Sequence, residues 1–352
     1  MTQAQAKPEL GSSAAQPAAP EGRSQKAGRI ARAIVSRYAV LAAVGAFLGG
    51  ASPLVARAHF LLELGTHFMA LYTIAAAVAF VILAVLRAWR FAAVALTALV
   101  LTGGQVAPYF GASATATATV GTRLRVMEVN VLTSNRNHDA FLEMVRAEQP
   151  DVIAVLEISA AWVEVLRELS DLYPHKWVEP QEDNFGIGLL SKLPLQDSEV
   201  IDFEGVPAIR AEVEVEGTPV HVFAVHTLPP VNSENAARRN RQLKRLPELV
   251  KDVDGSVIVV GDLNATMWSP YFKSLCRDSG LKDVRKGRGI VPSWPTQFAP
   301  VMIPIDHGLH SESLAVTGIH RGTAFGSDHL PLVVDFIVPR NSENPAAPAA
   351  AA

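Results

Sequence analysis

The sequence predicts an α/β domain carried behind about three transmembrane helices. Three observations predict it. Long apolar runs crowd into residues 38–111. From Thr122 onward, stretches with strand and helix periodicity alternate. Several of the apolar strands break off at an acid, an amide or a histidine.

At 352 residues the chain is long enough for one large domain with additions. Apolar residues make up 49% and charged residues 18%, an apolar excess concentrated between Tyr38 and Gly111. A net charge of −3 does not point to a generic, charge-driven nucleic-acid binder. The single cysteine, Cys276, excludes an internal disulfide and a cysteine-based zinc site.

Residues 1–37 are expected to form a disordered cytoplasmic tail, its first ~28 residues rich in Ala, Pro, Ser, Gln and Gly. The Ala/Pro-rich residues 340–352 are expected to be disordered as well. Within 38–111 the apolar runs are Tyr38–Val55, Thr66–Leu86 and Phe91–Phe110, each about the length that crosses a ~30 Å hydrocarbon core. Buried helices of a soluble domain are the alternative, as is a signal peptide cleaved near Ala56-Arg57-Ala58. Three such runs so close together are hard to bury in a small globule, and the preceding tail is long for a signal peptide. Lys7, Arg23, Lys26, Arg29, Arg32 and Arg37 precede the first run, Arg87 and Arg90 separate the second from the third, and only Arg57 separates the first from the second. Positive flanks stay in the cytoplasm, so the rest of the chain is expected outside it. In a Gram-negative host that means a multi-pass inner-membrane protein with a periplasmic domain.

Residues 112–121 are a small-residue linker spanning at most ~35–40 Å, which keeps the following domain near the bilayer. That domain, 122–339, reads as strands at Leu124–Val131, Val152–Leu156, Phe185–Leu190, Val206–Val215, Pro219–Val225, Val257–Val260 and Leu332–Ile337. Helical spacing marks Asn137–Glu148, Ala160–Leu172 and Glu234–Val250.

The polar strand ends carry the chemistry. Gly261-Asp262-Leu263-Asn264 follows an apolar run, and side chains two apart on an extended segment point the same way. Asn130 closes the strand from Val126, Glu157 follows Val152–Leu156, and His226 follows Val220–Val225. Asp306 and His307 follow Ile303–Ile305, and Asp328-His329 precede the last strand. Each has a plain structural alternative when taken alone, as a helix cap, a turn or a satisfied strand-end side chain. Their joint occurrence at strand ends points to a ligand or catalytic site.

With these strings in hand, the chain resembles the endonuclease/exonuclease/phosphatase superfamily. The matching strings are Val129-Asn130-Val131, Leu156-Glu157, Val225-His226, Gly261-Asp262-Leu263-Asn264, Ile305-Asp306-His307 and Ser327-Asp328-His329-Leu330-Pro331, in family order. Membrane-anchored bacterial members are the nearest type. The resemblance implies a four-layer α/β/β/α sandwich and phosphoester hydrolysis at one edge of the sheets. It implies that Glu157 binds Mg²⁺ or Mn²⁺, with Asn130 and Asp328 near the ion. Asp262 would orient or deprotonate water, Asn264 would hold a phosphoryl oxygen, and His226 and His329 would flank the phosphate. Asp306 would fix the tautomer of His329.

Arg239, Asn240 and Trp294 are expected to contact substrate, each against a plain alternative: a solvated basic helix face for Arg239 and Asn240, packing beneath a loop for Trp294. Arg285, Lys286 and Arg288 offer further phosphate contacts, or a solvated loop. The expected partners are a phosphate ester and the lipid bilayer. No protein partner is expected, and nucleic acid stays within the substrate set. The alternative is a membrane-tethered binding module that keeps the fold without the activity. Such a module would show a degraded polar set, and here every position is filled.

Overall fold

The computed structural model describes residues 23–111 and 120–340. The expected terminal tails at 1–22 and 341–352, and linker residues 112–119, lie outside them.

Helix α1 (Arg23–Val55) begins well before Tyr38, so the expectation of a disordered segment across residues 23–37 is corrected. The reason is local. Ser24–Arg37 is rich in Ala, Arg, Lys and Ile and free of proline, and an existing apolar helix propagates at little cost. A short helix, α2 (Phe60–Leu64), and a 3₁₀ turn at Gly65–Phe68 lead into α3 (Met69–Val85). Helix α4 (Trp89–Val106) follows and ends in a second 3₁₀ turn, Ala107–Tyr109.

Helices α1, α3 and α4 pack against one another through buried alanines. Ala39, Ala43 and Ala46 meet Ala76, Ala79, Ala92, Ala95 and Ala98. Small side chains let helix backbones approach closely where lipid supplies no hydrophobic drive. Gly49 shows how close: a Cβ there would fall 2.3 Å from the Tyr72 ring. Ile74, Val78 and Val81 point outward, away from the bundle. Three helical stretches, Ser24–Val55, Phe60–Val85 and Trp89–Tyr109, are long and apolar enough to cross a membrane.

The remainder runs β1 (Gly121–Asn130), α5 (His138–Glu148), β2 (Val152–Leu156), α6 (Ala160–Arg167), β3 (His175–Glu179), β4 (Ile187–Ser191), β5 (Leu195–Asp202), β6 (Pro207–Val215) and β7 (Thr218–His226). It continues with α7 (Ser233–Lys251), β8 (Ser256–Asp262), α8 (Pro270–Ser279), β9 (Lys282–Asp283), β10 (Asp306–His310), β11 (Ala315–Arg321) and β12 (Leu332–Pro339). Two six-stranded sheets result, ordered β11-β12-β1-β2-β4-β3 and β5-β6-β7-β8-β10-β9. Their facing surfaces bury Val126, Ala154, Leu189, Ile209, Val222 and Ile258 together. The alternate residues of β1 and β2, such as Val129 and Val155, pack outward on Phe141 of α5 and Trp162 of α6. Val225 and Val259 pack on Leu243 and Leu246 of α7 and Phe272 of α8. The period-2 alternation of each strand thus builds an α/β/β/α sandwich.

The sandwich sits on one end of the helical bundle. Met69, Val106 and Tyr109 belong to the same buried cluster as Trp268 and Phe272. Trp268 Nε1 donates to the Gln105 carbonyl at 3.2 Å, and the Gly289 amide donates to the Tyr109 carbonyl at 2.7 Å.

Candidate active site

The pairing of strands gathers the polar ends. β7 runs parallel to β8 with His226 beside Asp262, and β10 runs antiparallel to β8 with Asp306 beside Asp262. In the other sheet β1 runs parallel to β2 with Asn130 beside Leu156, so Glu157 emerges next to Asn130. Both sheets open at the same rim.

Gly261 makes the approach to that rim possible. A Cβ there would lie 1.7 Å from the Val225 carbonyl oxygen, so no other residue fits between β7 and β8. Just beyond, Asn264 adopts φ 46°, a left-handed conformation that asparagine tolerates better than most residues. Its amide N–H donates to Asp262 Oδ1 at 2.8 Å, and its side-chain Nδ2 donates to the Thr227 carbonyl at 2.9 Å. Asp262 and Asn264 are therefore fixed relative to each other before any ligand arrives.

His329 is held from behind. Its Nδ1 lies 2.9 and 3.0 Å from the two carboxylate oxygens of Asp306, and its Nε2 lies 3.8 Å from Asp262 Oδ2. Ser327 Oγ donates to the Asn130 carbonyl at 2.7 Å and accepts from the His329 amide at 3.1 Å, which ties the β11–β12 loop to the end of β1 in the same sheet. Burial works against charge on His329, but the Asp306 carboxylate overrides it and pushes the imidazole pKa up to about 10. Asp306 is fully buried, which alone would raise its pKa, and the facing imidazolium draws it below the usual carboxylate value. The pair is thus an imidazolium on a carboxylate, with Nε2 turned toward Asp262.

His226 behaves oppositely. Burial, reinforced by the His329 charge, lowers its pKa to about 3, so it is a neutral imidazole. Its Nε2 lies 3.8 Å from Asp262 Oδ2, and its ring leans on Phe185. Asp262 is itself pushed well above the ordinary carboxylate value by burial and by the neighbouring Asp306.

Across the rim, Glu157 sits at φ 63°. Asn130 Nδ2 donates to its Oε1 at 2.9 Å, and the Thr133 amide donates to its Oε2 at 3.3 Å. Asn130 Oδ1 accepts from the Leu132 amide at 3.0 Å, so both ends of this amide are engaged and its place is beside Glu157 as a support. Burial raises the Glu157 pKa despite these donors. Trp294 Nε1 donates to Asp328 Oδ2 at 3.0 Å, while Asp328 Oδ1 is buried without a partner among the described residues. Asp262, Asp306 and His329 also offer ligand atoms within 4.8 Å of one another, close enough to share an ion.

Glu157, His226, Asp262, Asn264, Trp294, Asp328 and His329 all line one cleft of about 660 Å³. Asn130 and Asp306 stand directly behind it. Arg239 and Asn240, expected at the substrate, do not reach it. Arg239 is fully buried and donates from Nε to Asn240 Oδ1 at 2.8 Å, from Nη1 to the Asn264 carbonyl at 2.7 Å, and from Nη2 to Glu63 Oε2 at 2.5 Å. It ties α2 to the loop bearing Asn264. Asn240 instead borders a separate surface hollow with Arg57 and Arg241. Arg285 is also fully buried and binds the carbonyls of Ile290 and Asp306, while Arg288 binds the Val316 carbonyl and Lys286 lies over the Tyr109 ring.

Two features escaped the sequence reading. Glu128 of β1 is buried under the site, and neither carboxylate oxygen has a hydrogen-bond partner among the described residues. Burial, with Asp306 and Asp262 nearby, pushes its pKa well above the usual carboxylate value. The signal was present: Glu128 occupies the same strand face as Leu124 and Val126, where alternation calls for an apolar residue. The second is the cleft wall formed by Phe60, Leu61, Leu64 and Phe68, which lie between the first two long helices.

Comparison with known proteins agrees with this geometry. No curated protein matches the chain. An endonuclease/exonuclease/phosphatase from Beutenbergia cavernae superposes with a TM-score of 0.53 at 21% identity, covering 62% of this chain and 72% of that one. An endonuclease/exonuclease/phosphatase from Bacteroides vulgatus gives a TM-score of 0.54 at 17% identity, covering 62% and 99%. The D. rerio TDP2 structure complexed with a single-strand DNA product gives 0.52 at 17%, covering 61% and 99%. These likenesses show the fold. The model of the Endonuclease/Exonuclease/phosphatase family matches residues 127–329, from the middle of β1 to His329 itself, and the chain belongs to that family.

Proposed function

We propose that this chain is a membrane-anchored phosphodiesterase that depends on a divalent cation. The observation that carries the reading is the convergence, on one cleft, of an imidazolium–carboxylate pair (His329–Asp306), a neutral histidine (His226), a carboxylate (Asp262) and a separate acidic pair (Glu157 and Asp328).

A phosphodiester needs its charge screened, its water oriented and its leaving oxygen protonated. The donors on the Glu157 side suit a hard cation. They are oxygens, one buried Asp328 oxygen has no partner, and the raised Glu157 pKa marks a carboxylate short of compensating charge. The His329 side suits an ion less well, because an imidazolium has no free lone pair. Glu157 and Asp328, with Asn130 supporting, would hold Mg²⁺ or Mn²⁺, which when bound would screen the phosphoryl oxygens. His329 Nε2, charged and aimed into the cleft, donates to a phosphoryl or leaving oxygen. Asp262 orients the attacking water, with neutral His226 and charged His329 each 3.8 Å from its Oδ2. Asn264, locked by the Thr227 carbonyl, holds its place beside Asp262. The three long apolar helices supply the membrane anchor, and the positive flanks favour an extracytoplasmic catalytic domain.

The test is hydrolysis of bis-(p-nitrophenyl) phosphate by the full chain in detergent, with Mg²⁺ or Mn²⁺ and with EDTA. Metal-dependent turnover that is lost in Asp262→Asn supports the reading. Absence of hydrolysis under every metal condition, or full activity after exhaustive chelation, overturns it.

A further inference from the structure

The cleft is not built by the sandwich alone. One wall is Phe60, Leu61, Leu64 and Phe68, from the segment joining α1 to α3. Phe185 and Val231 add apolar surface from the sandwich side. Leu61 is 59% exposed and Val231 is 71% exposed, so this apolar surface is open. Large apolar side chains at the mouth of a polar site mark a partner that is itself part apolar.

The wall is held firmly. Glu63, on the opposite side of α2 from the cleft, is buried and receives Arg239 Nη2 at 2.5 Å and Ser269 Oγ at 2.7 Å. A buried charge is tolerated only when paired in this way. The same Arg239 holds the Asn264 carbonyl, so wall and catalytic loop share one support. The wall is also continuous with the long helices: Phe68 is followed directly by Met69, the first residue of α3, and α1 and α4 end at the same face.

The charge pattern points the same way. Among the described residues, no lysine or arginine lines the cleft. A site that tracks a nucleic-acid backbone needs a cationic groove and stacking platforms. The basic residues of α7 are turned elsewhere, with Arg238, Arg241 and Arg245 bound to Glu204 and Asp202.

On the footing of the phosphodiesterase reading, we infer that the cleft takes a membrane-resident phosphodiester whose acyl or alkyl chain lies against the Phe60–Phe68 wall. The chain would enter along α3, and the phosphate would reach the polar rim without leaving the bilayer surface. The membrane region is then part of the substrate site as well as an anchor.

Two diesters with one leaving group test this, ethyl and hexadecyl p-nitrophenyl phosphate, together with a single-stranded oligonucleotide, using the full chain in nanodiscs with Mg²⁺ or Mn²⁺. The expected result is a kcat/KM at least about tenfold higher for the hexadecyl ester. That preference is expected to shrink about tenfold in Leu61→Glu and in Val231→Glu, both outside the buried core, and to return in Leu61→Phe. An equal rate on both esters, a preference unchanged in both Glu variants, or faster cleavage of the oligonucleotide overturns the inference while leaving a phosphodiesterase in place. No hydrolysis of any diester overturns both.

Discussion

Asp306 grips His329 Nδ1 with both carboxylate oxygens, at 2.9 and 3.0 Å, and so aims Nε2 into the cleft. The arrangement makes Asp306 a positioning residue that acts through His329. His329→Ala is expected to lower kcat by about 10²–10⁴. Asp306→Asn should cost nearly as much alone but little more when added to His329→Ala, because both remove one device. Multiplicative losses in the double variant, read from kcat on bis-(p-nitrophenyl) phosphate, would refute the pairing.

The same pair sets a pH window for stability. The folded His329 pKa of about 10 stands above its ordinary 6.5, so its contribution is complete below pH 6.5 and is lost as pH climbs toward 10. Asp306 lies below its ordinary 3.8, so its share is present above that value and fades as pH falls further. Thermal unfolding in detergent should therefore show the cost of Asp306→Asn largest between about pH 4 and 6.5 and shrinking by pH 10. A cost that stays flat across that range would contradict the linkage.

His226 tilts the acid side in the other direction. Its folded pKa of about 3 is below the ordinary 6.5, so the unfolded chain takes up a proton first as pH falls. Stability should drop between pH 6.5 and 3, by at most about 1.4 kcal/mol per unit from this one group. His226→Asn should flatten that limb while lowering kcat about 10²-fold or more. An unchanged acid limb in the variant would count against a buried neutral histidine.

Glu157→Gln keeps the shape but removes the charge facing Asp328. The metal concentration for half-maximal activity is expected to rise about 10–100-fold, because the oxygen set loses its principal anion. Asn130→Ala, which removes only a support of Glu157, should shift it less. Titrations in which both variants match the parent would place the ion elsewhere, with the Asp262–Asp306–His329 group the next candidate.

Topology is open to a fusion test. A periplasmic reporter joined after Gly121 is expected to be active and a cytoplasmic one silent, as the positive charge in the N-terminal part of α1 and around the α3–α4 turn favours. The reverse pattern would mean that one of the three helices does not cross.

Interior strands were legible because they are apolar runs. Val152–Leu156 reads from sequence with its observed limits, and β1, β6, β7, β8 and β12 within a residue or two at most ends. Strands β3, β5 and β11 were not legible, and all three are sheet edges. An edge strand such as Leu195–Asp202 has one flank in water and carries charges, so neither run nor alternation survives. β10, Asp-His-Gly-Leu-His, is interior but polar because it serves the rim. The strand-end residues could be named for the same reason: each interrupts an apolar run. Arg239 could not be placed, because its partner Glu63 lies 176 residues away on a different part of the chain. A charge cluster on a helix does not reveal which member turns inward.

The docking of the sandwich on the helix ends, through Glu63, Gln105 and Tyr109, has a consequence for how substrate is found. With the helices in a bilayer, a catalytic head bolted to them does not sweep a volume of solvent. Its mouth travels at one height, and for the membrane-resident substrate inferred above encounters become a search in two dimensions instead of three. Turnover would then follow the surface density of substrate among the surrounding lipids, so diluting the membrane with inert lipid would slow the reaction even when the total amount of substrate in the tube is unchanged.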